Sequence, residues 1–406
     1  MTNRAYAVLG RAPTQVEEPE TMEQAQAIVR AASGLSVAPW GGGTRQCLGF
    51  PLERYDLALS TAKLTRITEY VPADLTVTAQ AGLTVAELQR SLAEQGQTLP
   101  LEVALPSQQT LGGVIAARAD SLTRFSSGSV RDSLLGVTVI NCRCEVVKGG
   151  GKVVKNVAGY DLPKLYCGSL GTLGLISEAT FKVAPLPETS ATALLPLPAD
   201  FNTEDVLDTL LGSDLMPTFL FLLNPEAART VVPGAEPVQY VVAGFDGNAE
   251  SVAWQLKTLG ADALDSATAA EVRSRLRDFG LDAAPMTAAF HILSSQVGAF
   301  SRMVEWTARR AGFTASVASD AALGLMTAHF VPLLDEANWG SFYLDLKDKA
   351  DRCGGSFRIE RMPAPLRDSD TPVWSPVLPD FRLMERVKEI LDPERMWNPG
   401  RFLGQL

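Results

Sequence analysis

Residues 149–176 read GGGKVVKNVAGYDLPKLYCGSLGTLGLI, a stretch that sets seven glycines around a polar loop and short apolar runs. Glycine has no Cβ and reaches positive φ without strain, so successive N–H groups can curl into a nest around an anion or a polar ring edge. A loop of this composition brings the main chain close to something. A bound cofactor is the expected occupant.

Two further glycine clusters lie upstream, PWGGGT at 39–44 and PSQQTLGG at 106–113. In the first, Pro39 fixes the entry and Gly41, Gly42 and Gly43 expose N–H groups without side chains. Thr44 adds a hydroxyl donor suited to a phosphate oxygen. Surface turns also collect glycines for conformational reasons alone, so the argument rests on the combination. Three separated loops can wrap one long ligand. Neither glycine triplet ends in the Gly-Lys-Ser/Thr of a nucleoside-triphosphate loop, since Lys152 is followed by Val153. No G-x-G-x-x-G opens the first helix, which disfavours a Rossmann dinucleotide site.

The bulk properties narrow the class. The chain has 406 residues, 46% of them hydrophobic, enough for two or three cores. Its 36 Lys plus Arg against 46 Asp plus Glu give a net charge of −10, so no overall field attracts nucleic acid or an anionic membrane surface. Any dianionic ligand must be held locally. No run of eighteen apolar residues predicts a transmembrane segment, and the first residues lack a leader-like apolar core, so a cytoplasmic location is expected. The five cysteines, Cys47, Cys142, Cys144, Cys167 and Cys353, are scattered and suit a reducing compartment. On a strand Cys142 and Cys144 would face the same side, but with no second pair nearby they read as packing. No metal site is expected, nor iron–sulfur ligation by this chain alone.

Thr21 and Gln24 form a capping-box pattern ahead of a helix bearing Ala27, Ile28 and Ala31, and the chain then runs as a strand to Trp40. Leu75, Val77, Ala79 and Ala81 alternate with Thr76, Thr78 and Gln80, which predicts a half-buried strand. Thr84 and Glu87 cap a helix with Leu88 and Leu92 on one face, ended by Gly96. Further strands are expected around Val137–Ile140 and at Ala179, Phe181 and Val183. Residues 184–200 lose periodicity and gather prolines, as an extended crossing between domains would. A second proline-rich crossing, 362–380, precedes a helix carrying Leu383, Val387 and Ile390. Between the crossings, strands near Phe219, Val241, Ile292, Met326 and Ile359 alternate with helices containing Trp254, Leu276, Trp306 and Leu344, an α+β pattern.

With the ending DPERMWNPGRF at 392–402, these pieces resemble the flavoproteins that bind FAD in a vanillyl-alcohol-oxidase or PCMH-type domain. Within that superfamily, residues 153–176 look like the FAD-binding subunit of bacterial glycolate oxidase. The resemblance covers the first half of the chain and its last turn. It implies an α+β fold: a PCMH-type FAD-binding domain over 1–187 in two α+β subdomains (about 1–60 and 61–187). An inserted α+β cap over 200–361 and a C-terminal segment, 380–406, whose helix returns to the first domain, complete it. Gly41, Gly42, Gly43 and Thr44, entered from Pro39, would meet the pyrophosphate. Pro106, Ser107, Thr110, Gly112 and Gly113 would follow the ribityl chain and pyrophosphate. Gly168, Ser169, Gly171, Thr172, Gly174 and Ile176 match the loop closing over adenine and the flavin edge. Gly128, Arg131 and Asp132 match a further loop near the cofactor, where the charged pair can equally steady the loop itself. Asn398 belongs to the terminal turn that approaches the flavin.

One departure bears on attachment. Many relatives hold FAD through a histidine near the triplet, where this chain has Thr44, and its two histidines, His291 and His329, are far away in sequence. Non-covalent FAD is therefore expected. Both histidines sit on predicted strands and can serve either a flavin pocket or the sheet. Arg358 and Arg361 are candidates to clamp a carboxylate, and Tyr160 and Lys164 to hydrogen-bond the isoalloxazine. The catalytic base stays unassigned, with His291, His329 and Arg358 as candidates. The resemblance implies an FAD-binding subunit that takes part in oxidising small 2-hydroxy acids (glycolate to glyoxylate). A larger FAD-containing catalytic subunit and an iron–sulfur subunit would be its partners, the former carrying the histidine-rich motif lacking here. A self-sufficient FAD oxidoreductase acting on lactate, a sugar acid or a lactone, and a non-catalytic scaffold subunit, are the alternatives.

Overall fold

The computed structural model describes residues 3–152, 159–198, 201–334, 337–363, 366, 371–376 and 379–406. The chain divides into two units. The first comprises Met1–Ser121, Gly128–Leu186 and Val377–Leu406; the second comprises Leu122–Ser127 and Pro187–Pro376.

The first unit opens with a three-stranded parallel sheet, in which Leu57–Ser60 lies between Gln15–Glu17 and Val37–Trp40. The helix Met22–Ala31 starts where Thr21 Oγ1 accepts from Gln24 N. The Gln24 side chain answers at Glu20 N (2.8 Å) rather than at Thr21 itself. Ala25 and Val29 bury the inner face against Val37, Leu57 and Leu59. The same cluster holds Met396 and Trp397 from the far end of the chain, Trp397 fully buried. Main-chain bonds join them to the sheet edge, Val37 N to Met396 O (2.7 Å) and Asn398 N to Val37 O (3.0 Å).

The second sheet of this unit is antiparallel, in the order Ile67–Val71, Thr76–Gln80, Leu175–Lys182, Leu134–Ile140, Val146–Gly150. The end of the glycine-rich stretch thus runs straight into the central strand. Thr84 and Glu87 make a complete capping box for the helix Val85–Ala93. Its Leu88 and Leu92 pack with Leu111, Val114 and Ile115 of the helix Leu111–Ala117 against Val77, Ala79, Val139 and Phe181. Each such leucine, fully removed from water, contributes about 1.5–3 kcal/mol. The strand Thr76–Gln80 is buried on both faces, not one as its alternation predicts. Its polar face is satisfied internally: Thr78 and Thr180 share a hydroxyl bond of 2.9 Å, and Gln80 Oε1 accepts from Arg66 N (2.9 Å). Residues 153–158 of the glycine-rich stretch lie outside the described residues.

The second unit is built on one antiparallel sheet of eight strands. The strands expected from sequence occur as Phe219–Leu223, Gln239–Gly247, Met286–His291, Leu325–Pro332 and Ser356–Arg361. The expected helices are Ala249–Leu259, Ser266–Asp278, Val297–Arg310 and Trp339–Arg352. Two long strands were not anticipated. Thr189–Leu197, within the stretch predicted as a crossing, pairs with Gln239–Gly247 at the sheet edge, where Pro196 lacks an N–H without breaking an interior ladder. Phe313–Asp320 lies inside the sheet, its pattern blurred by alanine and serine on both faces. Leu122, far upstream, packs in this unit's core with Phe219 and Val242.

Candidate cofactor site

The strand Val37–Trp40 ends at the loop Gly41–Gly43, and this loop forms one wall of a cleft inside the first unit. Thr110 caps the helix Leu111–Ala117, its Oγ1 accepting from Gly113 N, and supplies the second wall. The two loops touch so closely that side chains are excluded. A Cβ on Gly42 would stand 1.7 Å from Gln108 O, and one on Gly41 would stand 2.3 Å from Thr110 Oγ1. Leu170, Gly171 and Gly174–Ile176 close a third side. Gly171 has φ +70°, and Asn398 Nδ2 donates to the neighbouring Leu170 O at 2.7 Å.

The fold therefore brings Pro39, Gly41, Gly42, Gly43, Thr44, Thr110, Gly112, Gly113, Gly171, Gly174 and Ile176 into one lining. Pro106, Ser107, Gly128, Arg131, Asp132, Gly168, Ser169, Thr172 and Asn398 do not line it. Gly168, Ser169 and Thr172 instead face a groove beside the helix Phe381–Leu391. Asp132 folds back on its own loop, accepting from Ser129 N (2.8 Å) and Ser129 Oγ (2.7 Å), while Arg131 points to solvent. Tyr160 is almost fully exposed, and Lys164 pairs with Asp161.

Residues 13–150, which carry two of the three cleft walls, match the family described as FAD binding domain. This part of the chain is similar to FAD-binding domains. Among curated relatives, the glycolate oxidase subunit GlcD of Bacillus subtilis is 31% identical over 216 residues, 52% of this chain and 46% of that protein. The glycolate oxidase subunit GlcE of Escherichia coli is 33% identical over 178 residues, 44% of this chain and 49% of that protein. The chain thus spans about half the length of these relatives. A solved alkyldihydroxyacetonephosphate synthase superposes with a TM-score of 0.72 at 18% identity, covering 95% of this chain and 75% of that one, which shows the fold.

The residues lining the cleft fit a dinucleotide on grounds of their own. The glycine walls admit main chain only, and Gln109, 2% exposed and in the lining, leaves its Nε2 without a partner. Buried polar groups rarely stay so, and a ligand acceptor would complete it. Arg401 also lines the cleft at 4% exposure. Burial pulls its pKa down to about 10, still well above neutrality, so the guanidinium stays charged. Nearby, burial pushes the Tyr55 phenol up, and its hydroxyl donates to Tyr6 O (2.8 Å).

Neither Arg401 nor Gln109 was anticipated from sequence, and the same holds for a buried brace behind the third wall. Lys388 donates from Nζ to Asp392 Oδ2 (2.6 Å), Thr172 O (2.7 Å) and Trp397 O (2.9 Å). Asp392 in turn accepts from Met396 N (3.0 Å) and Trp397 N (2.9 Å). Burial holds the Lys388 pKa below the usual range despite the carboxylate beside it. The only sequence signal was the i,i+4 spacing of Lys388 and Asp392, which ordinarily marks an exposed pair.

The catalytic candidates all lie in the second unit. His329 sits within the strand Leu325–Pro332, its Nδ1 2.9 Å from Thr287 Oγ1 and its Nε2 2.5 Å from Phe279 O. The carbonyl fixes the tautomer, with Nε2 donating and Nδ1 accepting from the hydroxyl. Burial lowers the pKa to about 4. Both nitrogens are thus engaged within the sheet unit, the structural role open to a strand histidine. His291 ends its strand exposed. Arg358 is ion-paired with Glu360, two residues on. No group of three or more His, Cys, Asp or Glu residues that could hold a metal ion occurs among the described residues. The five cysteines form no disulfide, and no described helix is long and apolar enough to cross a membrane.

Proposed function

We propose that this chain is an FAD-binding subunit of an oxidoreductase that oxidises 2-hydroxy acids, glycolate to glyoxylate first among them. It works beside a larger FAD-containing catalytic subunit and an iron–sulfur subunit. The observation that carries this reading is the glycine-walled cleft, in a domain related to two proteins named as glycolate oxidase subunits.

Oxidation of a 2-hydroxy acid requires a cation for the carboxylate, a base for the hydroxyl proton and an acceptor for the hydride. Bound FAD supplies the acceptor. The chain's own residues supply the grip: main-chain N–H groups of Gly41–Gly43, the Thr44 hydroxyl, and close-packed walls that exclude water. A base is harder to find. His329 is held by Thr287 and Phe279, His291 is exposed, and the sequence contains no other histidine. That scarcity favours division of labour, with proton abstraction on the larger partner and electrons passing to iron–sulfur centres. Cysteines that form no disulfide fit a reducing, cytoplasmic setting.

Purification of the chain alone and together with co-expressed genomic neighbours tests the reading. The isolated chain should carry yellow FAD that glycolate leaves oxidised, whereas the co-purified assembly should contain iron and acid-labile sulfide and bleach with glycolate. Turnover of glycolate, lactate, a sugar acid or a lactone by the pure chain with an artificial acceptor would establish a self-sufficient enzyme instead. A protein that stays colourless with added FAD would indicate a scaffold.

A further inference from the structure

Arg401 presents an unusual charge balance in the cleft wall. Its five N–H donors find two acceptors in the chain, Leu48 O from Nε and Arg45 O from Nη2, both at 3.3 Å. These are longer than a normal N–H···O bond. The other three have no acceptor among the described residues, and no carboxylate there pairs with the guanidinium. A buried cation without a counter-ion is costly, and an anion bound in the cleft would offset that cost. The Gln109 amide lies in the same lining with an unsatisfied Nε2. Two donors, one charged and one neutral, thus line one cleft from segments nearly three hundred residues apart.

The charge of the whole chain runs the other way, at −10. A dianion approaching it is repelled at long range, so attraction has to be generated locally. Oxidised FAD carries its formal negative charge on the pyrophosphate; its flavin, ribityl and adenine parts are neutral at pH 7. Resting on the assignment of the cleft to FAD, we propose that Arg401 and Gln109 bind the cofactor pyrophosphate, Arg401 as its counter-charge and Gln109 as a neutral donor. They supply the retention that a covalent histidine gives other flavoproteins. The main-chain N–H groups of the Gly41–Gly43 loop complete the cradle, and the guanidinium adds a planar donor pair to match phosphate oxygens.

Titration of apoprotein with FAD, ADP and riboflavin, followed by calorimetry, tests the assignment. ADP carries the pyrophosphate without the flavin, and riboflavin the reverse. Arg401→Met should weaken FAD and ADP about 10- to 100-fold, as expected for a hydrogen bond to a charged group, and leave riboflavin unchanged. Arg401→Lys should recover part of the ADP affinity. Gln109→Leu should weaken FAD and ADP by roughly two- to tenfold, the range for a neutral bond. Unchanged ADP affinity in both Arg401→Met and Gln109→Leu overturns the proposal, and so does an equal loss for riboflavin, which would mark a general structural role. Should Arg401→Met fail to fold, Arg401→Lys and Gln109→Leu carry the decision by the same ADP-against-riboflavin comparison. A wild-type chain that binds ADP in an Arg401-dependent manner but takes up no FAD keeps the anion site and refutes the FAD reading; one that binds neither refutes both.

Discussion

His329 ties the stability of the second unit to pH. Its folded pKa of about 4 lies below the ordinary value of 6.5, chiefly because burial disfavours the charged ring. Between those values the unfolded chain binds a proton that the folded chain does not, so stability is full above the ordinary pKa and falls as pH drops toward the folded one. The loss amounts to roughly 3 kcal/mol. The urea midpoint followed by tryptophan fluorescence should fall between about pH 7 and about pH 4.5, and His329→Gln should flatten that fall. An unchanged slope in the variant would show that other groups set the acid limit. At this scale the sequence is readable where backbone geometry dictates the residue: Gly41, Gly42 and Gly171 are glycines because a Cβ would collide or sit at positive φ. Arg401 and Gln109 were not readable, because an arginine carries the same letter whether it is solvated or buried in a cleft.

The helix Phe381–Leu391 owes its placement to the Lys388–Asp392 pair, whose side chains are 6% and 0% exposed. Removing one partner of a buried pair leaves the other charge uncompensated, so Lys388→Met should cost about 3–5 kcal/mol, read as a lowered unfolding midpoint. Adding Asp392→Asn should return a large share of that loss, since the remaining side chain then carries no buried charge. Additive losses in the double variant would show that the two residues act separately. Elements with strong periodicity or explicit caps, such as Val85–Ala93 with Thr84 and Glu87, were legible in advance. Thr189–Leu197 was not, because its prolines and mixed faces spell a linker and only pairing with Gln239–Gly247 makes it a strand. The double burial of Thr76–Gln80 escaped as well, since threonines that hydrogen-bond one another inside look in sequence like threonines facing water.

At the level of the whole molecule, the chain builds the first unit from three segments and inserts most of the second unit between Leu186 and Val377. The residues lining the cleft in the first unit include no histidine, and Thr44 stands near the triplet. Acid precipitation should therefore release free yellow flavin into the supernatant; a coloured pellet would demonstrate a covalent link. The joining of Val37 to Met396 and Asn398 has a bearing on biogenesis. The first sheet waits for residues made some 360 positions later, which at ribosomal speed is a delay of about 20–70 s. During that interval the nascent glycine loops lack Arg401 and the bracing turn around it. On the proposed role of Arg401, cofactor loading would then follow translation.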